Sequence, residues 1–113
     1  MANECVFCKI VKKEIKSDIV YEDEKIIAFY DIDPKAPIHI LIVPKEHIPT
    51  LNDVKDFSIF SDLIRVATEL AKEKNISKSG YKILANCGKD AGQAVFHIHF
   101  HLLGGMKMEY LPV

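Results

Sequence analysis

Tryptophan is absent from this chain, and cysteine, glycine and proline are scarce: three, five and five in 113 residues. Three cysteines are too few, and odd in number, for a disulfide framework, so a reduced, cytoplasmic setting is expected. With so little glycine and proline there is no Gly/Ser linker and no low-complexity run, and no internal repeat is found. An excess of charge is missing as well. Fifteen Lys/Arg against sixteen Asp/Glu leave a formal net charge of −1, which argues against the basic face of a nucleic-acid binder. Long apolar runs are missing too. None approaches the ~20 residues of a membrane span, and residues 1–16 lack the pattern of a secretory signal. Neither nucleic acid nor membrane is an expected partner.

What is present is a 49% hydrophobic share, enough for one compact domain over 1–113 that buries about two-thirds of its unfolded surface. Apolar residues at 6, 7, 10, 11 and 15, with lysines at 9, 12, 13 and 16, predict a short amphipathic helix over Cys5–Lys16. Ile19–Glu22 and Lys25–Asp31 read as strands about a polar turn. After a loop marked by Pro34 and Pro37, the run Ile38–Val43 reads as a strand covered on both faces. From Asp53 to Lys74 apolar residues recur every three or four positions, the one long helix. Tyr81–Ala85 and Val95–Leu103 are the last strands, joined by the turn-rich Asn86–Gly92. Strands outnumber helices and most joins are short, so the expected class is α+β: an antiparallel sheet of about five strands with one long helix packed on a face.

Four of the five histidines stand at 39, 97, 99 and 101, three of them in His-Ile-His-Phe-His. Strand alternation puts 97, 99 and 101 on one face, and Ile98, Phe100 and Leu102 on the core face. Such a row can be a polar surface that happens to use histidine, a metal site, or nucleophilic and acid–base machinery near neutral pH. The turn before it favours phosphate chemistry, because Asn86, Gly88, Gly92 and Gln93 offer amide and backbone donors beside the imidazoles. Cys5 and Cys8 form C-x2-C on the first helix. They can be small core residues one turn apart, a redox pair, or half of a zinc site.

The run His97-Ile98-His99-Phe100-His101-Leu102-Leu103 fits the histidine-triad signature, His-φ-His-φ-His-φ-φ with φ apolar. Together with residues 28–48 (AFYDIDPKAPIHILIVPKEHI) and 86–105 (NCGKDAGQAVFHIHFHLLGG), it resembles the Hint-like branch of the histidine triad (HIT) family from Val6 to Gly105. The resemblance implies a HIT-like fold and a homodimer. The implied activity is hydrolysis of nucleotidyl bonds at the α-phosphorus, typically phosphoramidates, of purine nucleotides such as AMP, GMP or an adenosine-like group. By position His99 would be the nucleophile that forms a nucleotidyl-histidine, with His101 and His39 as the phosphate-contacting and relay histidines. Asp31 corresponds to the residue that binds the ribose hydroxyls, and Phe7, Ile10, Phe29 and Ile32 to the apolar cleft for the base. Asn86, Gly92 and Gln93 correspond to the phosphate loop.

Ala94 departs from the branch, which commonly has Ser or Thr there, and one lost hydroxyl donor could cost ~1 kcal/mol of transition-state binding. Gly104-Gly105 favours this branch over the dinucleoside-polyphosphate hydrolases, which are the alternative enzyme reading. The tail Met106–Val113 departs from the usual ending and keeps only Tyr110 and Pro112. Some bacterial relatives hold zinc with the C-x2-C pair, a histidine of a Pro-Lys-x-His run and the first triad histidine. Here those are Cys5, Cys8, His47 and His97, a Cys2His2 set suited to a closed, structural tetrahedral site. A reading from another class, a nucleotide-binding scaffold with incidental turnover, is separated from the enzyme readings by comparing affinity with turnover.

Overall fold

The computed structural model describes residues 4–109, so Tyr110 and Pro112 of the divergent tail lie outside it. Its elements are α1 (Val6–Val11), β1 (Ile19–Glu22), β2 (Ile26–Tyr30), β3 (Ile38–Pro44), α2 (Ser58–Glu73), β4 (Tyr81–Leu84) and β5 (Phe100–Gly104). The five strands form one antiparallel sheet in the order β1-β2-β3-β5-β4. The α+β class and the place of the long helix between the third and fourth strands are as expected.

Alternation in the two central strands sorts the core into two layers. Ile26, Ala28, Ile40, Ile42 and Leu102 face α2, where Leu63, Val66, Ala67, Leu70 and Ala71 close the larger cluster. Ile27, Phe29, Leu41 and Val43 face the other way and are covered by Phe7 and Ile10 of α1. The sheet is thus covered on both faces, and the short α1 is a core element. Gly104, at the end of β5, lets that strand approach the turn after α2. A Cβ there would lie 2.6 Å from Cδ1 of Ile76.

Three boundaries differ from the expected ones. α1 stops at Val11, and Lys13 takes a left-handed backbone at φ 65° that ends the amphipathic run early. Asp53 does not open the long helix. It completes a capping box with Thr50 on a separate 3-10 turn, Leu51–Asp53, and α2 begins at Ser58. Strand pairing in the triad segment begins only at Phe100, because the chain before it is tied to a loop: Ile98 N–H donates to the Ile48 carbonyl at 2.8 Å. Among the described residues no helix is long and apolar enough to cross a membrane.

Candidate active site and metal-ligand cluster

His39 on β3 and His101 on β5 occupy neighbouring strands, where Leu41 pairs with His101 and His39 with Leu103. Both side chains emerge on the α1 face of the sheet, and His39 Nε2 lies 2.9 Å from His101 Nδ1. Asp31 stands just beyond the end of β2, with a carboxylate oxygen 3.5 Å from His39 Nε2. His99, before the start of β5, brings its ring centroid within 5.0 Å of that of His101. Phe7 of α1 packs edge-on against His99 (5.0 Å), His97 (5.8 Å) and Phe29 (5.5 Å). The irregular backbone before Phe100 therefore keeps the histidine rings together on the expected face, while Phe100 stacks on Phe60 of α2 on the other.

Backbone partners assign the tautomer of each buried imidazole. Nδ1 of His99 lies 2.8 Å from the His97 carbonyl, which can only accept. Nδ1 of His99 therefore carries the hydrogen, and Nε2 is left as a free lone pair. Nδ1 of His39 accepts the Lys35 main-chain N–H at 3.0 Å, so neutral His39 carries its hydrogen on Nε2 and donates to His101 Nδ1. Neutral His101 is then left with its hydrogen on Nε2. One imidazole offers an electron pair and its neighbour offers an N–H, with no net charge on either. Burial pushes His101 down to about 4, helped by His99 and His39 nearby, and lowers His99 and His39 as well. Both properties suit attack on an electrophile that carries anionic oxygens.

A second cluster adjoins the first across Phe7, whose ring touches His97 as well as His99. The ligand atoms of Cys5, Cys8, His47 and His97 all lie within 4.8 Å of one another. Cys5 Sγ is 3.3 Å from His97 Nδ1, Cys8 Sγ is 3.3 Å from His47 Nδ1 and 3.6 Å from His97 Nδ1, and the two Nδ1 atoms are 3.3 Å apart. Zn–N bonds of ~2.0–2.1 Å and Zn–S bonds of ~2.3 Å put tetrahedral ligand atoms roughly 3.3 to 3.8 Å apart, the range in which these four separations fall. The tautomer fits as well. His97 Nε2 donates to the Pro44 carbonyl at 2.7 Å and turns the lone pair of Nδ1 into the cluster. Burial and the neighbouring Cys5 raise the Cys8 thiol, a charge penalty that a bound cation would offset.

The remaining expected site residues divide. Phe7, Ile10 and Phe29 are buried in the α1-side core, as residue chemistry alone suggests, whereas Ile32 is 96% exposed beside Asp31. The expectation that the Asn86–Gln93 turn presents free donors needs correction. The Gln93 side chain is buried and its amide is engaged within the loop. It donates to the Pro49 and Val95 carbonyls at 2.7 and 3.1 Å and accepts from the Gly88 N–H at 2.8 Å. The Gly92 N–H is bound to the Lys89 carbonyl, so in this arrangement Gly88, Gly92 and Gln93 shape the loop. Asn86 is half-buried just after β4, and Gly92 holds a left-handed turn at φ 85°. Ala94 is exposed and lines a shallow cavity of about 460 Å³ with Cys5, His47 and Phe96. Three contributors were invisible in the sequence, the Lys35 N–H and the His97 and Pro44 carbonyls, since a main-chain group carries no residue signature.

An α+β domain with paired, tautomer-fixed histidines on its central strands defines the histidine-triad class. The model of the HIT domain matches residues 12–108, and the chain belongs to the HIT family. It is 48% identical over 110 residues to the purine nucleoside phosphoramidase of Escherichia coli K12, covering 96% of this chain and 92% of that one. Among solved structures, a histidine triad protein from Clostridium difficile superposes with a TM-score of 0.92 at 44% identity, covering 96% of each chain. A HIT family hydrolase from Legionella pneumophila Philadelphia 1 gives 0.92 at 45%, covering 96% of this chain and 99% of that one.

Proposed function

We propose that this protein is a nucleotidyl hydrolase of the phosphoramidate type, acting on purine nucleoside phosphoramidates through a covalent intermediate on His99. The observation that carries this reading is the complementary pair of tautomers, a lone pair on His99 Nε2 beside an N–H on His101. Nε2 of His99 attacks the α-phosphorus and the phosphorus–nitrogen bond breaks. Its electron pair leaves with the amine, which takes a proton from solvent. Water then attacks the phosphorus of the nucleotidyl-histidine, releases the nucleoside monophosphate and returns the electron pair to His99. The His101 N–H opposes charge on the non-bridging oxygens, and the Asp31 carboxylate accepts from the ribose hydroxyls. Ile32 supplies an exposed apolar surface for the base, with Phe7, Ile10 and Phe29 as its support. Asn86 and Ala94 approach the phosphate, and Gly92 and Gln93 hold their loop in shape.

Cys5, Cys8, His47 and His97 hold one structural zinc ion in this reading, which ties α1 to the sheet and keeps Phe7 against His99. The active unit is a homodimer in a reducing cytoplasm. Among the described residues β4 is an edge strand of the sheet, and Phe57, just before α2, and Ile64 on α2 are 65% and 42% exposed, apolar surface that a two-fold contact would bury twice.

Steady-state kinetics on an adenosine phosphoramidate, a diadenosine polyphosphate and a nucleotidyl sugar, side by side, test the assignment. The phosphoramidate should have the highest kcat/KM. Preference for the polyphosphate would move the protein to the dinucleoside-polyphosphate class, and tight nucleotide binding without turnover would make it a binding module.

A further inference from the structure

Lys35 lies in the loop between β2 and β3, and its side chain turns outward to pair with Asp33 at 2.6 Å. Its main-chain N–H turns inward, 3.0 Å from Nδ1 of His39. His39 and His101 are buried, and their facing nitrogens are 2.9 Å apart. Two neutral imidazoles in contact can share a hydrogen bond in either direction. In one, His39 donates and His101 shows an N–H outward; in the other, His101 donates and shows a lone pair. Anionic phosphate oxygens are attracted by the first and repelled by the second. A main-chain amide can only donate, so its bond to Nδ1 selects the first arrangement. The Asp31 carboxylate oxygen, 3.5 Å from His39 Nε2, is an acceptor that favours the same one.

We propose that the Lys35 main-chain N–H is a positioning group for the reaction: by donating to His39 Nδ1 it orients the His39–His101 pair so that His101 meets the substrate as an N–H donor. The inference rests on the phosphoramidase reading, and it gives a role to the main-chain donor that the loop places behind the buried His39. The Lys35 side chain has no part in it.

The test replaces the residue 35 amide by an ester, with the lysine side chain retained as its α-hydroxy acid. Lys35→Pro, which also lacks the N–H, serves as a second variant, and circular dichroism checks its folding. Long-range 15N–1H spectra of the histidine rings report which nitrogen carries the hydrogen, and kinetics use an adenosine phosphoramidate. The wild type and Lys35→Ala, which keeps the N–H, should show one tautomer with hydrogen on Nε2 of His39. The ester should show a mixture at His39 and His101, with kcat reduced about tenfold and KM within about twofold. A single Nε2–H tautomer and wild-type kcat in the ester would overturn the proposal. A wild type with the expected tautomers but no turnover would instead overturn the assigned reaction and leave the orienting bond established.

Discussion

Acidifying the protein tests the buried His39–His101 pair by a route that needs no substrate. The neutral form of His101 is favoured in the folded state, down to about 4 from an ordinary value of 6.5, chiefly because burial removes water from the charged form. The folded chain therefore binds fewer protons than the unfolded chain between those two values, and stability is lost as pH falls through the window. Full titration of one such group has a slope of ~1.4 kcal/mol per pH unit, which integrates to about 3 kcal/mol over the interval. His39 is lowered in the same sense, by burial above all. Urea unfolding of the wild type and of His101→Asn at steps from pH 7.5 to pH 4 isolates the contribution, because effects at other groups largely cancel in the difference. The wild-type curve should fall more steeply than the variant's below pH 6.5, and the two should run parallel above it. Curves parallel throughout the range would refute the claim that burial holds His101 neutral.

Elemental analysis of protein purified without chelator should find about one zinc per chain. Removing it should lower Tm first, with activity falling as α1 and Phe7 loosen; protein that binds no zinc after reduction and incubation with the metal would return Cys5 and Cys8 to the core. Gly104→Ala should destabilise by ~1–3 kcal/mol in urea unfolding, since the new methyl overlaps Ile76; an unchanged midpoint would show that Ile76 moves freely. Ile32→Asp should weaken AMP binding in calorimetry about tenfold or more while leaving Tm nearly unchanged, because a side chain 96% exposed contributes little to folding.

Much of the site was legible because strand alternation survives local irregularity. The triad segment leaves the ladder before Phe100, yet His97 and His99 still pack against Phe7 and His101 against His99 on one face. The three-and-four spacing after residue 57 located α2, but it could not show that Asp53 belongs to a separate turn, since the same acidic residue can start a helix or complete a capping box. Periodicity likewise gives Ile32 no distinction from a core isoleucine, because exposure depends on where the loop after β2 turns. Gln93 was read from its residue type as a free donor, and only the fold shows its amide bound to Pro49, Val95 and Gly88. The tautomers were out of reach for the same reason, since the Lys35 N–H and the His97 and Pro44 carbonyls set them.

The covalent role of His99 is most directly tested by rapid quenching of wild-type protein during turnover of an adenosine phosphoramidate, followed by mass spectrometry of its peptides. The adenylyl group should be found on His99, and His99→Ala should lose turnover by about a thousandfold or more while AMP affinity changes far less. An adenylyl group on another residue, or turnover by His99→Ala within about tenfold of wild type, would contradict the covalent mechanism.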